Sequence, residues 1–350
     1  MNKKKSGLNI DIGNFCSKNA YSWAKKTFKN RYNKLGEPVV SVDGAFSNIL
    51  NFGDVKIGIS SDGIGTKIEL AERTGIYDTL GYDLVAMVVD DLVANGFEPT
   101  NISNILDVDY LDYDIINDLM KGLHNACNFA NIAITGGEIA ELGSRVQGYG
   151  NRMHFNWCAT AIGVLHHNLK HPIDGTEIKS GDIIITLKSR GFRSNGFSLI
   201  RQIMQEQFGE NWHNIKYKNR PFGEILLTSS LIYSPLICKI LDSGFILKGI
   251  AHITGGGIPD NLLRVLKPKG LGAILDNLFE PVDFMKKIQS IGNISDKEAR
   301  KYWNIGNGML IIAAESETEK ILDIMDKSEY TAKIAGKVIS EPVIEIRQIH

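Results

Sequence analysis

The chain has 350 residues, with 39 Lys and Arg against 40 Asp and Glu, and 43% of it is hydrophobic. That length predicts about two domains of roughly 100–200 residues each, and a net charge of −1 excludes a nucleic-acid coat or a polybasic membrane binder. No apolar run approaches the ~18–20 residues of a membrane span, and the basic start at residues 1–5 has no apolar stretch behind it, so neither a membrane segment nor a secretory leader is expected.

In chain order, residues 55–60 read as a short strand. Residues 80–95 read as a helix, because Leu80, Leu84, Val85, Met87, Val88, Leu92 and Val93 recur at near-helical spacing. Residues 101–107 predict a strand, 115–129 a helix, 132–135 a strand running into Gly136-Gly137, and 160–165 a strand. A polar connector, 166–179, carries the turn signals Pro172 and Asp174-Gly175. Beyond it the expected elements are a strand at 183–187, a helix at 198–207, a long helix at 226–241, a strand at 248–253, a helix at 260–266 and a strand within 304–313. The reading is an α/β (or α+β) protein of two mixed domains, 1–167 and 168–350. His166-His167 with His171 could form a metal cluster, but a polar connector between domains is the expectation. Cys16, Cys127, Cys158 and Cys238 share no metal-type spacing and fit a reducing, cytoplasmic setting.

One figure is unusual. Glycine fills 35 of 350 positions, against an average of about 7%. Much of the excess falls in or beside loops at the ends of expected strands, Gly44 being counted with them. In Asp62-Gly63-Ile64-Gly65-Thr66-Lys67, bare backbone lets N–H groups approach a phosphate, Lys67 adds charge, and Asp62 offers the hard oxygen that Mg²⁺ prefers. Asp90-Asp91 places two carboxylates inside an apolar helical stretch, which is unfavourable unless they are paired or metal-bound. Gly136-Gly137-Glu138 follows a strand, and Glu138 and Glu141 share a face if a helix starts there. Ser194-Asn195-Gly196 precedes a helix whose N-terminus suits a phosphate. Gly255-Gly256-Gly257 follows His252, and three glycines in a row suggest close backbone approach to a ligand. These loops together suggest an enzyme that uses ATP or a phosphosugar.

The same blocks, in the same order, resemble the phosphoribosylformylglycinamidine cyclo-ligase (aminoimidazole ribonucleotide synthetase) family. Asp62–Lys67 is similar to its Asp-Gly-Val-Gly-Thr-Lys signature, and Gly136–Glu141 to its Gly-Gly-Glu-Thr-Ala-Glu block. Ser194-Asn195-Gly196-Phe197-Ser198-Leu199 resembles Ser-Asn-Gly-Tyr-Ser-Leu, and His252–Gly257 is identical to the family's glycine triplet block. The resemblance implies ATP-dependent ring closure of formylglycinamidine ribonucleotide in purine synthesis, with Mg²⁺, a nucleotide substrate and a homodimer in which strands of the N-terminal domain join a partner's. It implies that Asp62, Asp91 and Glu138 hold metal, and that Lys67 with the N–H groups of Gly63, Gly65 and Thr66 holds phosphate, near Gly136 and Gly137. It implies Asp62, Lys67, Asn195 and His252 as catalytic residues, and Arg193, Ser194, Asn195, Gly255, Gly256 and Gly257 as substrate contacts. This chain departs from the pattern at Arg193, where the family usually has His, at Asp90 in place of Asn, and at Asn156 in place of Asp. An Arg at 193 can clamp a phosphate but cannot exchange protons near neutral pH. The competing readings are a sister enzyme of the same ATP-using superfamily and a silent nucleotide-binding protein.

Overall fold

The computed structural model describes residues 10–39 and 45–347; the basic start and Gly44 lie outside them. The first half holds helices α1 (Ile10–Lys25), α2 (Ile68–Thr74), α3 (Leu80–Ala94) and α4 (Tyr113–Ala130). Its strands are β1 (Glu37–Pro38), β2 (Asn48–Phe52), β3 (Val55–Gly63), β4 (Phe97–Val108), β5 (Ala133–Glu141) and β6 (Phe155–Leu165). They form one mixed sheet in the order β1-β2-β3-β6-β4-β5. Strand alternation gives that sheet two unlike faces. Ile102, Leu106, Trp157 and Ala161 are buried on the face that meets α3 and α4, whereas Ile105, Ile162 and Val164 on the other face are 52%, 38% and 39% exposed.

The second half holds β7 (Ile183–Lys188), the short hairpin β8–β9 (Lys216–Tyr217, Arg220–Pro221), β10 (Gly249–His252), β11 (Gly272–Leu275), β12 (Asn307–Ala313), β13 (Ala332–Ile339) and β14 (Ile344–Ile346). Its helices are α5 (Phe197–Phe208), α6 (Phe222–Leu226), α7 (Ser234–Asp242), α8 (Gly257–Leu266), α9 (Asp283–Ile291), α10 (Asp296–Tyr302) and α11 (Glu315–Asp326). The second sheet runs β10-β12-β7-β13-β11-β14. It is covered on both faces. Ile185, Leu187, Met309 and Ile311 pack with residues of α7 and α11, while Ile184, Leu310 and Ile312 pack with Ile258, Leu262 and Leu266 of α8. Covering on both sides explains why β12 is buried along its whole length. Among the described residues no helix is long and apolar enough to cross a membrane.

Two expected elements differ. The long helix over 226–241 is broken into α6 and α7, because the backbone between them turns outward to bond carboxylates of α3 and because Pro235 opens a new helix. The strand expected at 132–135 continues to Glu141, so no helix starts at the Gly-Gly pair and Glu138 and Glu141 do not share a helical face. Several glycines outside the quoted blocks serve packing. A Cβ on Gly81 would overlap the Gly122 backbone where α3 crosses α4, and one on Gly58 would meet the Phe97 ring at 2.7 Å.

Candidate active site

Helix α3 is the spine of the site. Asp83 and Asp90 are seven residues apart, almost two full turns, so they share a face, and Asp91 lies beside them. That face meets the second half of the chain. At its N-terminal end the Lys67 Nζ lies 2.7 Å from Asp83 Oδ2, with both side chains fully buried, and it donates to the Thr228 carbonyl at 2.8 Å. Asp83 Oδ1 accepts from the Ser230 amide at 3.1 Å and from its hydroxyl at 2.5 Å. Burial pushes the Lys67 ammonium below its usual pKa, against the opposing pull of Asp83. Lys67, expected from the sequence to hold phosphate, is placed here on an internal carboxylate and carbonyl. An ammonium sealed from solvent and held by a carboxylate and a carbonyl ties the two halves together.

One turn from the other end, Asp90 Oδ1 accepts from the amides of Tyr233 and Ser234 at 2.8 and 3.0 Å, and Oδ2 accepts from Arg193 Nη2 at 2.9 Å. Arg193 has a left-handed backbone, φ +61°, which turns its side chain inward. There it also donates to the Leu231 carbonyl at 2.8 Å, with its guanidinium carbon 4.9 Å from the Tyr233 ring centre. Its side chain is 1% exposed. The two terminal nitrogens of Arg193, expected from the sequence to face a phosphate, are thus taken by partners inside the fold, and its buried Nε has no hydrogen-bond partner.

Asp91 is served differently. His252 Nδ1 lies 2.8 Å from its Oδ1, and the Ser60 hydroxyl reaches Oδ2 at 3.4 Å. No ion pair with Lys or Arg is formed by Asp91 among the described residues. Burial raises its carboxyl to about 7, against the pull of the Arg264 charge and the Ser60 bond. Asp62, near the end of β3, faces solvent, yet burial of its surroundings raises it to about 6, with the charge of Asp91 adding to the effect. Its Oδ1 accepts from the Gly63 amide at 2.7 Å. His252 is completely buried, and its pKa is lowered to about 3, first by burial and then by the Arg193 charge. Both nitrogens of this imidazole, expected from the sequence to face the substrate, are engaged inside the protein.

The starts of three helices lie around these carboxylates. The turn Gly65–Lys67 leads into α2, and the Thr66 hydroxyl is 3.3 Å from Ser198 in the first turn of α5. Gly63 is bare because a Cβ there would meet Cys158 Sγ at 2.9 Å, whereas Gly65 has open space around it. Asn195 sits just before α5, its Nδ2 3.9 Å from Met87 Sδ on α3, and its Oδ1 would lie 3.6 Å from a Cβ on Gly255. Of the triplet, Gly256 and Gly257 have φ +91° and +65° and are crowded by Asp260 and the Arg300 carbonyl. Local geometry accounts for those two; Gly255 alone has ordinary backbone and room. Ser194 is buried with its hydroxyl lacking a hydrogen-bond partner.

Glu138 does not join the expected metal set within one chain. Asp62 pairs with Ala159 on β6, which pairs with Asn104 on β4, and Glu138 falls in the neighbouring row with Ile105, Cys158 and Gly63. It is thus three strands from Gly63, about 14 Å across the sheet, and on the opposite face from Asp62. Gly137 is bare for packing, since its Cβ would meet the Asn104 carbonyl at 2.7 Å, while Gly136 is open and exposed. In the connector, Glu98, His166 and His167 approach one another, and His171 is not among them. The Asn168 amide donates to His166 Nδ1 at 3.3 Å, and Nε2 lies 3.2 Å from Asp242 Oδ1 without a hydrogen bond to it. A cavity of about 580 Å³ bounded by Lys188, Arg220, Phe284 and Lys286 lies apart and contains none of the expected residues. Sequence reasoning gave no role to Asp83, Thr228 and Ser230. Only Asp83 carried a signal, its seven-residue spacing from Asp90.

Comparison with known proteins gives the family. The family "AIR synthase related protein, N-terminal domain" matches residues 43–165, and its C-terminal counterpart matches 179–348. A phosphoribosylformylglycinamidine cyclo-ligase of Pyrococcus horikoshii is 35% identical over 319 residues, covering 91% of this chain and 89% of that protein. The chloroplastic phosphoribosylformylglycinamidine cyclo-ligase of Arabidopsis thaliana is 32% identical over 341 residues, covering 97% and 82%. Among solved structures, the thiamine-monophosphate kinase of Stenotrophomonas maltophilia shares the fold, with a TM-score of 0.63 at 13% identity over 92% of this chain and 94% of that one. With both halves matched and relatives above 30% identity along most of its length, the chain belongs to the phosphoribosylformylglycinamidine cyclo-ligase family.

Proposed function

We propose that this protein converts formylglycinamidine ribonucleotide to aminoimidazole ribonucleotide with ATP, releasing ADP and phosphate, in cytosolic purine synthesis. The observation that carries the reading is the Asp62–Asp91 pair, two carboxylates raised by burial, without an ion pair to Lys or Arg among the described residues, beside the starts of α2, α5 and α8. Hard oxygens in that state suit a divalent cation such as Mg²⁺, which when bound would neutralise phosphate charge. The open amides at Gly65 and Thr66 would take phosphate oxygens of ATP, and Gly255 would admit a ligand close to the backbone. Asn195, held between α3 and the Gly255 loop, would orient the formylglycinamidine group. ATP then phosphorylates the formyl oxygen, and an amidine nitrogen attacks that carbon to close the ring as phosphate leaves. Phosphoryl transfer depends mainly on positioning and charge neutralisation, which this set supplies. Residues 1–167 form the nucleotide-binding domain in this reading, and 168–350 close the cleft through the Lys67–Thr228, Ser230–Asp83 and Arg193–Asp90 contacts.

A homodimer follows from the apolar outer face of the first sheet, where Ile105, Ile162 and Val164 stand exposed. The test supplies purified protein with ATP, Mg²⁺ and formylglycinamidine ribonucleotide. Substrate-dependent ADP release with aminoimidazole product is expected; ATP binding without turnover points to a silent homologue, and turnover of another acceptor to a sister enzyme. By light scattering the protein should have twice the chain mass, and Ile162→Asp should halve it.

A further inference from the structure

We infer that Arg193 is a positioning residue that fixes His252 in its Nδ1–H tautomer and, through that ring, aims Asp91. A guanidinium has only donors. Arg193 Nη2 carries two hydrogens, and it lies 2.9 Å from Asp90 Oδ2 and 2.9 Å from His252 Nε2. The histidine nitrogen facing it must accept. A neutral imidazole with a bare Nε2 carries its proton on Nδ1, and Nδ1 is the atom 2.8 Å from Asp91 Oδ1. Donation therefore runs one way, from Arg193 to His252 to Asp91.

Each link is held from outside the chain of donors. Asp90 is anchored by the Tyr233 and Ser234 amides, and Arg193 by the Leu231 carbonyl and its left-handed backbone. The side chains of Asp90 and His252 are fully buried, so solvent does not compete for these bonds. Asp91 Oδ1 is committed to the ring. Among the described residues Oδ2 meets only Ser60, at 3.4 Å, and is the oxygen left to share an ion with Asp62. A histidine at position 193, usual in the resembling family, can donate or accept and would leave the tautomer of His252 open. Arginine removes that choice. The ion half of the inference rests on the proposed Asp62–Asp91 site; the tautomer half does not.

The test uses the full chain with ¹⁵N-labelled histidine, free of nucleotide and metal, at pH 7. Long-range ¹H–¹⁵N spectra report which ring nitrogen is protonated, and His252→Asn identifies the signals. The wild type should show protonated Nδ1 and bare Nε2, and Arg193→Lys, still a donor without acceptors, should keep that state. The double variant Arg193→Gln/Asp90→Asn leaves no buried charge unpaired and should shift His252 toward Nε2–H or a mixture. Its affinity for Mn²⁺, read by electron paramagnetic resonance, should fall about 10–100-fold, as for loss of an outer-shell partner. An Nε2–H ring in the wild type, or an unchanged tautomer in the double variant, overturns the inference. An altered tautomer with unchanged Mn²⁺ affinity overturns the aiming of Asp91. A wild type that shows the expected tautomer but binds no Mn²⁺ removes the ion site and leaves the Arg193–His252 assignment standing.

Discussion

Asp90 and Asp91 are neighbours on one helix and have opposite surroundings. Asp90 has an arginine and two backbone amides and is closed off. Asp91 bonds a neutral ring and a serine hydroxyl, with Asp62 near it, and the Arg264 and Arg193 charges act on it without forming an ion pair among the described residues. The same contrast separates Asp83, satisfied by Lys67 and Ser230, from the open pair. Burial alone therefore does not mark the site. What marks it is a carboxylate whose charge the fold has not balanced, because such a charge is tolerable only if an ion or proton completes it.

The closed side can be broken most severely. Lys67→Met strands the Asp83 carboxylate in the interior and should lower unfolding stability in urea by about 3–5 kcal/mol. Lys67→Met/Asp83→Asn keeps the acceptor for Ser230 and removes both charges, so most of that loss should return; no recovery would mean that the pair does more than balance charge. On the open side Asp62→Asn should reduce ATP-dependent turnover at least about 100-fold while leaving the urea midpoint nearly unchanged. A fully active Asp62→Asn enzyme would dissolve the contrast. The glycine triplet gives the finer probe. Gly257→Ala forces a Cβ toward the Arg300 carbonyl at positive φ and should cost about 1–3 kcal/mol. Gly255→Ala meets only an ordinary contact with Asn195, so stability should stay within about 0.5 kcal/mol while KM for the phosphorylated substrate rises.

Much of the chain was legible in its sequence. The spacing of Leu80, Leu84, Val88 and Leu92 marked α3 within one residue of its observed end, and the apolar run at 183–187 marked β7. The elements that escaped include long ones, α1, α11 and β13, besides several that are short or mixed in pattern. β11 has four residues and β14 three, and β2 begins on two polar-flanked positions, too little periodicity to read. Among site residues, Asp62 and Asn195 stood out because glycines surround them. Thr228 and Ser230 did not, because their contribution is backbone and hydroxyl geometry at a break between helices, which no residue type announces.

The sequence by itself determined the two mixed domains, the acidic face of α3 and the glycine loops, since these depend on periodicity and on local backbone demands. Only the tertiary structure decided which charges are spent. Lys67 and Arg193 are cations in glycine-rich loops and look alike as phosphate ligands in one dimension. In three, each is drawn inward by a buried carboxylate of α3 that has no water to turn to, and Asp62 and Asp91 beside them form no ion pair with Lys or Arg among the described residues.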